Sequence, residues 1–148
     1  HRFGARVEIR LFGTNPLEPG FLDLPRDFHW RLAGALNQRQ VASFLNEVDI
    51  FVDFSTFQAL GLTAQEAMSC GAAVIVPEAG GTSTFARHDH NCLVVDSSSA
   101  SACTAALTRL VEDHSLRQRL QKTGMAEVSA YHPELPTYNI LQTLFSRR

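Results

Sequence analysis

The segment FQALGLTAQEAMSCG, residues 57–71, sets two long polar side chains, Gln58 and Glu66, among apolar neighbours. Between them stands Gly61. Glycine is costly inside a helix, by about 1 kcal/mol relative to alanine, and takes positive φ readily. The reading that fits is a short turn over 56–60, a kink at Gly61 and a helix starting at Leu62 or Thr63. Such a start leaves the N–H groups of residues 61–63 without intrahelical acceptors at the positive end of the helix dipole, which suits a phosphate. On one continuous helix Gln58 and Glu66 would lie about 80° apart around the axis and ~12 Å apart along it. A diphosphate with a sugar at each end has about that extent. A second glycine turn, Gly80-Gly81, follows the apolar run VIVPEA and lets backbone approach a ligand closely.

The same residues have a plainer use. Ser55-x-x-Gln58 and Thr63-x-x-Glu66 both match the capping box, in which a long side chain returns to the amide of the N-cap residue. Spacing alone leaves caps and ligand contacts open. Gly80-Gly81 by itself is more often only a turn. The sequence has no G-x-G-x-x-G and no G-x-x-x-x-G-K-[ST], so the dinucleotide and P-loop fingerprints are missing.

The elements that must position these residues follow from hydrophobic patterning. RVEIRLFG (6–13) and FHWRLAG (28–34) are expected strands, separated by a proline-containing loop over 14–27. NQRQVASFLNEV (37–48) carries Val41, Phe44, Leu45 and Val48 at helical spacing, with Asn37 as N-cap. DIFVDFS (49–55) and AAVIVP (72–77) are expected strands buried on both faces, and CLVV (92–95) is a further short strand. Helices are expected over 97–114, 115–131 and the last segment ELPTYNILQTLFSRR. Strands alternating with helices predict an α/β, Rossmann-like three-layer domain with a parallel sheet, ending in several helices. Open parallel sheets bind ligands at the carboxyl ends of their strands. That edge holds three loops: 34–37, 54–63 and 77–83.

Composition narrows the function classes. The 148 residues suit one domain, with 45% hydrophobic and 19% charged residues and a formal net charge of −2. There is no basic excess that would mark a nucleic-acid partner. The sequence has no stretch of about 18 apolar residues that could cross a bilayer, and no signal-peptide pattern opens the chain. Three cysteines without a C-x-x-C pair argue against a disulfide framework or zinc site and favour a reducing, cytoplasmic setting. His88 and His90 in RHDHN lack a third donor nearby, so no metal site is expected. Cys70 reads as a small core residue at a helix end, and Trp30 and Phe28 read as core. The chain begins with His1, and we read it as a piece of a longer protein.

VDIFVDFSTFQALGLTAQEAMSCGAAVIVPEAGG resembles the donor-site segment of retaining GT-B glycosyltransferases of the glycosyltransferase family 4 type. The likeness is close over residues 48–81 and looser from the strand at 6–13 to the helices at 99–130. It implies the C-terminal, nucleotide-sugar-binding half of a GT-B fold. By that resemblance Glu66 would grip the ribose of the donor. The amides of Gly61 and Leu62, with Thr63 beside them, would meet its diphosphate, and Gly80 and Gly81 would lie near sugar and phosphates. The loop around Ala35 and Leu36 would lie near the base. The residue that contacts the transferred sugar is acidic in the family and falls on Gln58. Glutamine can hydrogen-bond sugar hydroxyls but cannot offset the positive charge that develops at an oxocarbenium-like centre.

The resemblance further implies no cofactor beyond the nucleotide-diphosphate sugar as co-substrate, and no metal. The acceptor, a glycan or a lipid-linked one, would be held by an N-terminal domain that these 148 residues do not contain. A lipid-linked acceptor would bring the full-length protein to the inner face of a membrane. Family donor domains also open with an additional strand and a basic pair that precede this stretch. A hexosyltransferase is therefore expected in the full-length protein, and no transfer by the fragment alone. Two other readings stay open: a GT-B-fold epimerase or phosphorylase, and a non-catalytic α/β interaction module in which Gln58 and Glu66 are caps.

Overall fold

The computed structural model describes residues 3–15, 17, 23 and 29–131. The helix expected over 134–148, Phe28 and most of the 14–27 loop lie outside the described residues. The chain divides into two units, residues 1–43 and 44–148. In the first, β1 (Ile9–Leu11) pairs in parallel with β2 (Trp30–Leu32), Ile9 opposite Trp30. Trp30 is half-buried rather than core. The ladder runs on into the loops, where Ala33 N–H donates to Leu11 O and Gly13 N–H to Gly34 O, both at 2.8 Å.

Helix α1 (Gln38–Leu45) starts where Asn37 predicts. The Asn37 Oδ1 accepts from the Gln40 N–H at 3.0 Å, and the Gln40 Oε1 accepts from the Asn37 N–H at 2.9 Å. This reciprocal pair is a capping box. It forms at Asn37-x-x-Gln40, not at either place where the S/T-x-x-E/Q pattern suggested one.

The second unit holds a three-stranded parallel sheet in the order β3 (Ile50–Val52), β4 (Ala73–Pro77), β5 (Leu93–Val95). Every residue of β4 is buried, as its unbroken apolar run requires of a strand covered on both faces. β3 departs from expectation: it is only half-buried, with Val52 39% exposed. Among the described residues β3 is an edge strand, with one neighbour instead of two. Helix α2 (Leu62–Ser69) joins β3 to β4. Helices α3 (Ala100–Glu112) and α4 (His114–Val128) follow β5. Ala73, Ile75, Leu93 and Val95 of the sheet form a core with Cys103, Ala106 and Leu110 of α3 and Leu116 and Leu120 of α4.

The last two described helices are separated by Asp113 and capped at each start. Ser99 Oγ accepts from Ala102 N–H at 3.3 Å, and Asp113 Oδ1 from Leu116 N–H at 2.8 Å. The parallel-sheet α/β, Rossmann-like architecture expected from the element order is the one observed. Among the described residues no helix is long and apolar enough to cross a membrane.

Candidate functional site

The kink expected at Gly61 is present. Gly61 is the N-cap of α2 with φ 79°, a left-handed conformation that makes no side-chain cap. The helix begins at Leu62, and the N–H groups of Leu62 and Thr63 find no acceptor among the described residues. A Cβ on Gly61 would sit 3.3 Å from the Phe85 ring and from Thr82 Cγ2, so the turn is packed closely from behind. Among the described residues the donors of the first helical turn are thus left free, while Phe85 and the Thr82 methyl pack against Gly61.

Gly80 and Gly81 meet the other arm of the site. Gln58 and Gly80 form a parallel bridge, and Gly81 N–H donates to Gln58 O at 2.7 Å. A Cβ on Gly80 would come within 2.0 Å of Gln58 O, and one on Gly81 within 2.0 Å of Ala59 O. No side chain fits at either position, which explains the glycine pair by contact with the 57–60 segment. The turn continues as a single 3-10 turn over Gly81–Thr84. Thr82 is 1% exposed, and its Oγ1 donates to Pro77 O at 2.7 Å, tying this turn to the end of β4. The loops after β3 and β4 therefore converge at one sheet edge. The 34–37 loop belongs to the first unit.

Neither proposed capping box is made. Thr63 is the second helical residue, because Gly61 takes the N-cap place. Glu66 is exposed, and its carboxylate has no partner among the described residues. It lies one turn beyond Leu62 on the same face of α2. At the other pattern, residues 56–60 are not helical; Gln58 Nε2 donates to Ser55 Oγ at 2.9 Å and not to a helix end. Ser55 N–H goes to Asp53 Oδ1 at 2.9 Å, and Ser55 O accepts from Ser97 Oγ at 2.6 Å. Ser97, in the loop after β5, was not singled out in the sequence; a lone serine in a serine run carries no signal. Phe57, Leu60 and Leu62 are exposed apolar residues on the rim.

His88, His90 and the cysteines make contacts of their own. His90 Nε2 meets Glu127 Oε1 at 2.8 Å, and His88 Nδ1 is shared with the backbone of Val94. Asp89, with φ 58°, is held by Arg109 at 2.8 Å. That hydrogen bond pulls its carboxyl below the usual range. The His90 hydrogen bond does the same for Glu127. Burial raises the Cys70 thiol, with a smaller contribution from the charge of Glu66. Burial pushes the Cys92 thiol up to about 12, leaving it without thiolate near neutral pH.

Comparison with known proteins points to one family. The family model described as "Glycosyl transferases group 1" matches residues 27–126. The chain is 33% identical over 111 residues to the lipopolysaccharide core biosynthesis glycosyltransferase LpsE of Rhizobium meliloti (strain 1021), covering 74% of this chain and 33% of that protein. It is 27% identical over 108 residues to the uncharacterized glycosyltransferase YqgM of Bacillus subtilis (strain 168), covering 72% and 30%. The chain thus spans about a third of the length of the curated relatives it matches. Among solved structures, sucrose-phosphate synthase from Thermosynechococcus elongatus superposes with a TM-score of 0.80 at 23% identity, covering 93% of this chain and 38% of that one. Anabaena HepE in complex with UDP and glucose gives 0.75 at 20%, covering 82% and 33%. The C-terminal domain of the group 1 glycosyl transferase LpcC from Francisella tularensis gives 0.64 at 28%, covering 70% and 54%.

Proposed function

The chain belongs to the glycosyl transferases group 1 family, and on that premise we propose that it is the donor-binding, C-terminal domain of a retaining GT-B hexosyltransferase of the family 4 type. The carrying observation is the pairing of two glycine turns at one sheet edge. Gly61 opens a helix whose Leu62 and Thr63 amides are unsatisfied, and Gly80-Gly81 is bonded back to Gln58. Anabaena HepE binds UDP and glucose on this fold, which supports a nucleotide-diphosphate sugar as the ligand here.

In this reading the Gly61 and Leu62 amides and the dipole of α2 take up the negative charge that grows on the departing diphosphate. Glu66, exposed and without a partner among the described residues, accepts hydrogen bonds from the ribose hydroxyls. Gln58, anchored through Ser55, orients the sugar. The bond from the anomeric carbon to the diphosphate oxygen breaks. A bond to the acceptor oxygen forms on the same face, and the acceptor proton passes to the leaving phosphate. These steps need the acceptor, a glycan or lipid-linked one held by an N-terminal domain. They also need a basic pair and strand upstream of this stretch. The 148 residues alone therefore bind donor without transferring it. A lipid-linked acceptor would place the full-length protein at the cytoplasmic face of a membrane, in polysaccharide biosynthesis.

The direct test is calorimetric titration of UDP into the 148-residue chain. Saturable binding is expected, and its absence would sink the donor-site reading. A radiolabelled nucleotide sugar turned over by the fragment would overturn the claim of inactivity. An inverted anomeric centre in the full-length product would overturn retention.

A further inference from the structure

The Phe85 ring that packs at the Gly61 turn is anchored from helix α4. Phe85 is 5% exposed, and its ring edge approaches the site of a Gly61 Cβ at 3.3 Å. Its carbonyl accepts from Asn91 Nδ2 at 2.8 Å. Asn91 is 2% exposed and fully engaged: the same Nδ2 donates to Glu127 Oε2 at 2.7 Å, and its Oδ1 accepts from Arg87 N–H at 2.8 Å. An ionised carboxylate only accepts, so Glu127 dictates which end of the Asn91 amide faces it. That choice aims one amide hydrogen at Phe85 O and the carbonyl at Arg87 N–H. Glu127 is itself braced by His90 Nε2 at 2.8 Å and Arg87 Nη1 at 3.2 Å. Helix α4 comes close enough to make this contact because residue 124 is glycine; a Cβ there would lie 3.0 Å from Asn91 O. Beyond the helix end, Tyr131 Oη donates to Thr84 O at 3.0 Å, holding the 3-10 turn from the same side.

We propose that Glu127 is a positioning residue for the donor site, acting through Asn91 and Phe85 to fix the Gly61 turn from which the diphosphate-binding helix starts. The inference rests on the donor-site reading above, but its geometry does not. Glu127 acts through Asn91 and Phe85 and not by contact with the diphosphate. It sets where the α2 amides stand, and amides that must meet a diphosphate lose much of their effect when displaced by a fraction of an ångström.

The test compares Glu127→Ala and Glu127→Gln in the 148-residue chain by 15N–1H spectra and UDP titration. The alanine variant is expected to move the Gly61 amide resonance by more than a line width and to weaken UDP binding about tenfold. The glutamine variant still offers Asn91 an oxygen but is no longer acceptor-only, and is expected to lie between wild type and alanine in both readouts. An unmoved Gly61 resonance in Glu127→Ala, with only a lower Tm, would reduce Glu127 to a structural role and overturn the proposal; so would a glutamine variant as impaired as alanine. Should the alanine variant not fold, Glu127→Asp, one methylene short of Asn91, carries the same test with the same expected displacement. If Gly61 moves as stated while wild-type chain binds no UDP, positioning stands and the nucleotide reading fails. If UDP binds wild type and Glu127→Ala alike, positioning fails alone.

Discussion

Gly81 donates its amide to the carbonyl of Gln58 at 2.7 Å, joining the turn after β4 to the segment that leads into α2. Two loops separated by a whole helix and strand are thereby made one surface. The contact tolerates no side chain on the glycine side, since a Cβ at Gly81 would lie 2.0 Å from Ala59 O.

Gly81→Ala is accordingly expected to destabilise the fold by about 1–3 kcal/mol, the usual cost of overpacking a site that cannot open freely. Gly80→Ala should be worse, because its φ of 96° adds backbone strain to a 2.0 Å collision with Gln58 O. Urea denaturation measures both, and a Gly81→Ala midpoint equal to wild type would show the two loops to be independent.

Glu66 separates binding from folding. Its side chain is exposed and unpartnered among the described residues, so Glu66→Gln is expected to change stability by less than about 0.5 kcal/mol. UDP affinity should fall tenfold or more, about 1.4 kcal/mol, because a neutral amide replaces a charged acceptor of two ribose hydroxyls. The opposite pattern, intact affinity with roughly 1 kcal/mol of lost stability, would restore a capping role.

Gln58 stands where the family resemblance puts an acid. In the full-length enzyme Gln58→Glu is expected to leave UDP affinity unchanged. It should raise kcat up to about tenfold, since a carboxylate near the reacting sugar offsets developing positive charge. A lowered kcat with unchanged KM would mean that the Ser55-anchored amide is the group this site requires.

Acid should loosen the loop behind the site. Arg109 holds the Asp89 carboxyl below its ordinary range, so the folded state binds that proton less readily than the unfolded chain does. The stabilisation is present at neutral pH and is lost as pH falls through and below about 4. Thermal melts from pH 7 to pH 3 should show a smaller drop in Tm for Asp89→Asn than for wild type, by a few degrees. Asparagine tolerates the positive φ at this position, so the comparison isolates the charge. Equal drops would show that the Arg109 pair carries no linked proton.

Much of this was legible in the chain. The apolar run of β4 announced a strand covered on both faces, and Gly61 announced a break before a helix starting at Leu62. The partial exposure of β3 was not legible: its composition suits a strand covered on both faces, yet among the described residues it pairs with β4 alone and is only half-buried. The capping-box pattern left two places open and neither cap forms, because the pattern fits wherever a hydroxyl precedes a long polar residue by three. Which copy becomes a cap depends on where the helix starts, and at Asn37 the same physics used a different pair.

The sequence by itself determined the order of strands and helices and the helix start after Gly61, which follow from local propensity and periodic burial, and the residues of its 48–81 segment carry the family likeness. Only the tertiary structure decided that Gln58 meets Gly81 and that Glu127 holds Asn91 across 36 residues. Those contacts carry no local signature. A hydrogen bond between distant residues exists because packing brings its ends together, and no pattern within either segment specifies the partner.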